Sequence, residues 1–360
     1  MCGVCRLAGS PFEHHDDKIP QLYFHSFNFY NRSKRREKGE VMIKGQLSER
    51  GKITVTLSPV FEADLGDYQL VNIGQGPNGE ILLLAVHEPP ELIEDRFPEA
   101  QTERPFHYKI IRYSGGGCEE ISIPDQHWNF HFVQPIDGGN YLLAAARCTR
   151  YDDGTADLNA KVYGPEGNLV REFLLGDGIE HLFVTEQNNI WTGYFDEGIF
   201  GNYGWDEPVG SAGLIRWDAN GNILYEYPNG GKHQIVDCYA MNVCGDRDVW
   251  FYYYNDYNDF ELARYRDGAL SYWKTDVESS TAFLVHKPYI LFKAGWDDNR
   301  FVLFEMGKKG KLKRKARLSF LDEKGKEIPM DILSCRRSQM AVFHEDKVYV
   351  ADLEEILKIW

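Results

Sequence analysis

From Tyr68 onward the chain repeats one pattern: an apolar run of strand length, a tight polar turn, then a second apolar run. YQLVNIGQGPNGEILLLAV from Tyr68, HFVQPIDGGNYLLAAA from His131 and HLFVTEQNNIWTGYF from His181 are the first three instances. CYAMNVCGDRDVWFYYY from Cys238, AFLVHKPYILFKAG from Ala282 and DILSCRRSQMAVFH from Asp331 follow. Runs rich in aromatic and β-branched residues, cut by Gly, Asn and Asp, predict antiparallel strand pairs. Their spacing averages roughly 50 residues, near the blade lengths of propeller repeats. A second hairpin follows each of the first five, as in AKVYGPEGNLVREFLL and GLIRWDANGNILYEYP. Asn220-Gly221 and Asp267-Gly268 accept the positive φ that two-residue hairpin loops demand.

Each repeat is thus four antiparallel strands, A to D, and radial repetition of such units predicts an all-β, six-bladed β-propeller. The sixth repeat has only three strands, within Ile332–Arg336, Met340–His344 and Lys347–Asp352. Its fourth is expected from the N-terminal region, either KITVTLSPV from Lys52 or GEVMIKGQL from Gly39, closing the ring and protecting an open edge. Seven blades remains open, since LYFHSFNFY from Leu22 would let the first 65 residues form a blade of their own. The whole chain reads as one domain: 1–65 supplying the closing strand, 66–353 the repeats, 354–360 a tail.

Composition narrows the partners. A formal net charge of −15 over 360 residues argues against nucleic acid or an anionic membrane as partner, because both need a basic face. Two basic runs, RSKRREK from Arg32 and KKGKLKRKAR from Lys308 to Arg317, fall between N-terminal strands and on the outer strand of blade five. They lack the interleaved aromatics of a base-stacking surface. The start, MCGVCRLAGS, has no signal-peptide core, and no run is long enough to span a membrane. Seven scattered cysteines read as buried free thiols of a reducing compartment. Cys2 and Cys5 form a CxxC without the second pair a zinc ribbon needs. A cytoplasmic monomer that binds a protein, a peptide or a polar small molecule is the expectation.

Candidate chemistry gathers on one face. The loops joining strands B and C are long and acidic, above all FDEGIFGNYGWDEPVGSA from Phe195 and NDYNDFE from Asn255, which hold no Lys or Arg. They carry aromatics, including Phe97, Tyr151, Phe200, Tyr203, Trp205, Tyr257 and Trp296. Such rings offer flat apolar area and cation–π capacity to a cationic, sugar-like or peptidic ligand. Equally, acidic loops can be simply solvated, with their rings folded inward. The D–A connections bring His131, His181 and His233 to the same face, weak candidates for acid–base work near neutrality. No GxSxG, Walker, HExxH or Rossmann motif occurs.

EQNNIWTGYFDEGIF and DRDVWFYYYN resemble the "GN-x-W" phrase of bacterial propellers of the streptogramin-lyase-like, two-component-sensor and gluconolactonase-like kinds. The resemblance is one of repeat grammar over about residues 65 to 352, and it implies the fold more than an activity. Gluconolactonase-type propellers hold a divalent cation with Glu, Asn and Asp from different blades. By that resemblance Asn129, Glu180 and Asp237, with Asp331 as an alternative, would hold Ca2+ or Mg2+, ions that favour oxygen ligands. The same residues can instead cap strand ends. Two function classes follow: a binding module using the loop face, or a lactonase-like, metal-dependent hydrolase or lyase with its site in the channel mouth.

Overall fold

The computed structural model describes residues 44–48, 51–90, 100–257 and 259–360. The described residues form one unit by their contacts. Arg32–Lys38, Cys2, Cys5, Leu22–Tyr30 and Phe97 lie outside the described residues. So does the start of the GEVMIKGQL candidate.

Among the described residues three strands precede the repeats: β1 (Lys44–Ser48), β2 (Lys52–Thr56) and β3 (Pro59–Glu62). Six sheets follow, and the protein is a six-bladed β-propeller. The inner A strands are Gln69–Gln75, Phe132–Ile136, Ile179–Val184, Asp237–Gly245, Phe283–His286 and Leu333–Arg336. Each packs on the next, and the sixth packs on the first, which closes the circle. Apolar clusters fill the spaces between blades. One joins Ile73, Leu83 and Ile111 of blade one to Ala341 and Val348 of blade six. The C–D turn of blade four shows the turn chemistry directly: Asp267 and Gly268 both take positive φ, 50° and 90°, as a type I′ hairpin requires.

Closure uses the N-terminal region, through a segment that the sequence marked only at its edge. β3 pairs antiparallel with strand C of blade six, Lys347–Asp352, with Phe61 opposite Val348. Phe61 also stacks on Tyr113 of blade one, ring centroids 4.4 Å apart. The core of KITVTLSPV, β2, goes elsewhere. It pairs parallel with Leu312–Leu321, strand D of blade five, and β1 pairs beyond it. Blade five therefore has six strands. β2 covers only the Arg317–Leu321 half of strand D, with Ile53, Val55 and Leu57 buried in the core there, while Lys313 and Arg314 of the basic run stay exposed.

The tail is ordered into a short helix, α2 (Leu353–Lys358), whose N-cap Asp352 accepts from the Glu354 N–H at 2.8 Å. Leu353 and Ile356 are buried in the blade five–six core. Among the described residues no helix is long and apolar enough to cross a membrane. Cys118 is exposed, Cys244 is half-buried, and Cys148, Cys238 and Cys335 are buried; all five are free thiols.

Candidate functional site

In this topology the B–C loops and the starts of the A strands share one end of the ring, the loop face. The A–B and C–D turns share the other, the turn face. Three carboxylates meet on the loop face from three chain segments. Glu180 is the second residue of strand A of blade three, and Asp237 is the first of strand A of blade four. Asp196 opens a short helix, α1 (Asp196–Phe200), inside the B–C loop of blade three. Burial, then the charge of Asp196, pushes the Glu180 carboxyl up to about 7. Burial, then Glu180 and Asp196, raises Asp237 well above the usual carboxylate range. Asp196 is raised too, chiefly by burial. Glu180 and Asp196 keep exposed area although protein crowds them. Among the described residues no Lys or Arg pairs with Glu180 or Asp237.

A buried ion network positions this cluster. Arg147, at the end of the apolar run LLAAAR, lies 3.1 Å from Asp177 and 2.6 Å from Glu197. Tyr203 covers its guanidinium at 4.1 Å from the ring centroid, and Phe195 does so at 5.2 Å. Asp177 also accepts from the Cys148 N–H at 2.8 Å. Burial outweighs the arginine there and leaves Asp177 raised to about 6. Glycine makes the docking of α1 possible. A Cβ on Gly198 would sit 2.5 Å from the Asp177 carbonyl oxygen and 2.8 Å from the Gly178 Cα. The long loop is therefore folded down onto blade three, with Glu197 bound to Arg147 and Asp196 held beside the axis.

The aromatic candidates separate into two groups. Tyr257 is 63% exposed, Phe200 56%, Trp296 46% and Tyr151 45%. All four stand on B–C loops, of blades four, three, five and two. Trp205 does not join them. It is 4% exposed, and its Nε1 donates to the Cys148 carbonyl at 2.7 Å, so its ring is a wedge beneath the loop. Tyr203 is half-buried over Arg147.

The histidines are also dispersed. Burial pushes both His131 and His181 down to about 4, so each is neutral near pH 7. His131 Nδ1 accepts from the Ala146 N–H at 3.2 Å, and its carbonyl accepts from Asn72 across to blade one. His233 lies farther from the axis, stacked on Tyr272 of an outer strand at 3.6 Å. Its Nδ1 is 2.8 Å from Glu261 Oε2, which also accepts from the Tyr253 hydroxyl at 2.8 Å.

Of the residues proposed for a cation, Glu180 and Asp237 come together. Asn129 is buried at the start of blade two, its N–H donating to Ala100. Asp331 is exposed on blade six, where its charge acts on Lys293 and His344. Among the described residues no group of three His, Cys, Asp or Glu side chains is arranged to hold a metal ion. Sequence reading missed Asp196 and Arg147. The available signal for Arg147 was a lone cation ending an apolar strand.

No family model matches the sequence, and no curated protein sequence does. Solved structures do align with it. A gluconolactonase from Xanthomonas campestris is 12% identical, with 81% of this chain and 96% of that one covered and a TM-score of 0.37. Apo AztD from Citrobacter koseri is 9% identical, covering 84% and 89%, with a TM-score of 0.39. A protein of unknown function from Bacteroides caccae is 11% identical, covering 76% and 92%, also at 0.39. At these identities the likeness is one of fold alone.

Proposed function

We propose that the protein is a binding module whose loop face captures a cationic group, an amine or guanidinium on a small molecule or peptide. The observation that carries this reading is the cluster of Glu180, Asp196 and Asp237, crowded to raised pKa with no base among the described residues paired to Glu180 or Asp237. A bound cation would relieve their mutual repulsion and supply the missing charge. Tyr151, Phe200, Tyr257 and Trp296 stand exposed on the surrounding loops, offering faces for cation–π contact and apolar cover.

The test is calorimetric titration with an oligolysine peptide and with spermidine as probes. The unmodified protein is expected to bind at least one of them. The double variant E180Q/D237N is expected to bind at least tenfold more weakly without a lowered melting temperature. Absence of binding by both probes, or equal affinity in the variant, overturns the proposal. Strong stabilisation by Ca2+ that blocks both probes would replace it with the metal-dependent reading.

A further inference from the structure

The turn face carries the opposite charge at the axis. Arg336, the last residue of strand A of blade six, is 5% exposed. Its Nη2 donates to Gln134 Oε1 of blade two at 3.2 Å and to the Val184 carbonyl of blade three at 2.7 Å. Blade three lies opposite blade six in a ring of six, so this side chain crosses the axis. Its guanidinium also rests 5.3 Å from the Phe183 ring centroid.

Burying a guanidinium without a carboxylate is costly, and Arg336 has none bonded to it among the described residues. Burial, then Arg337, pushes it down to about 9. The two acids whose charge reaches it are committed elsewhere. Glu80 accepts from the Asn78 N–H at 2.9 Å and from its Nδ2 at 3.3 Å. Glu186 is held by Arg337 at 2.6 Å. Arg336 Nε is buried and has no partner among the described residues.

Arg336 also contributes to the wall of a cavity of about 160 Å³. Gln75, Gly76, Arg336, Arg337, Ser338 and Gln339 contribute to its wall. A water occupies about 30 Å³ of liquid, so the space takes several waters or one small oxyanion. The planar fork of arginine suits the paired oxygens of carboxylate and phosphate.

We propose that this cavity is an oxyanion site, in which Arg336 binds a phosphate or carboxylate group with Arg337 beside it. The site lies at the other end of the ring from the acidic cluster and does not depend on the cation-binding reading.

Thermal melting with inorganic phosphate, with succinate, and with chloride at matched ionic strength tests it. A rise of about 2 °C over chloride at saturation is expected for at least one of the two anions. A response to phosphate alone points to a phosphate ester as the natural ligand, and a response to succinate alone points to a carboxylate. The rise is expected to vanish in R336M. It is also expected to vanish in S338F, which fills the cavity from a turn and keeps the guanidinium, so the test stands even if R336M does not fold. No rise over chloride with either anion, or a rise that persists in S338F, overturns the proposal.

Discussion

Glu180 sets the pH behaviour expected of the loop face. Its folded-state pKa is raised, to about 7, so between the ordinary glutamate value and that point the folded state holds the extra proton. Stability from this group is then fullest at the acid end and falls as pH climbs through the window. E180Q removes the titration. It is expected to flatten the melting temperature between pH 5 and pH 8, and to gain about 1 kcal/mol at pH 8 after allowance for screening by water. Affinity for a cationic probe should move the other way in the unmodified protein, strengthening from pH 5.5 to pH 7.5 as the carboxylates ionise. Trp205 and Trp296 make a second contrast. Trp205→Ala empties a buried site and is expected to cost about 3–5 kcal/mol in denaturant melts. Trp296→Ala, on an exposed loop, is expected to stay within about 0.5 kcal/mol of the parent. Composition could not separate these two indoles, because both stand in acidic, glycine-bearing loops. The difference comes from one hydrogen bond, to the Cys148 carbonyl, made across the fold. Glu180 and Asp237 were legible as members of a polar ring because strand order fixes which residues begin an A strand. Asp196 was not, because its position depends on a helix that forms only where Gly198 lies against Asp177 and Gly178.

At the scale of elements, the hairpins were legible because their turns carry a conformational demand that few residues meet. Asp267-Gly268 is the clearest case. The N-terminal strands were less so. β2 has the alternation of a half-buried strand, and that pattern fits any open edge of matching polarity. It pairs with blade five, while the less regular PVFE closes blade six. The reason lies in packing: Phe61 stacks on Tyr113 of the neighbouring blade, a contact invisible in local sequence. A chain beginning at Ala63 lacks β3 and leaves strand C of blade six with an unpaired edge. Compared with a chain beginning at Ser58, which also lacks β2 but keeps β3, it is expected to melt lower and to self-associate, as read by sedimentation, since open edges pair with other chains. Equal melting and a clean monomer in both would show that β3 does not secure the ring. Gly198→Val is expected to displace α1 and to destabilise the fold in thermal melts, because the new side chain would meet backbone atoms.

Across the whole molecule, charge is arranged along the axis. On the loop face Glu180 and Asp237 have no base paired to them among the described residues, and the turn face places Arg336 and Arg337 at its centre. The overall charge of −15 concealed this polarity, because a net value carries no direction. Association of a cationic probe with the loop face should be fast at low salt and slow as salt screens the carboxylates. Stopped-flow rates that ignore ionic strength would show that the face does not steer. The ring seam has a further consequence, for the order of events in synthesis. β3 leaves the ribosome before any blade, and the strand it pairs with emerges only after five blades have been made. While those five blades are made, that short apolar segment has no mate. Until Asp352 is delivered, blade six cannot be finished and the circle cannot lock. A nascent chain stalled short of that residue would hold five blades' worth of sequence and two open ends, the form most exposed to chaperones and proteases.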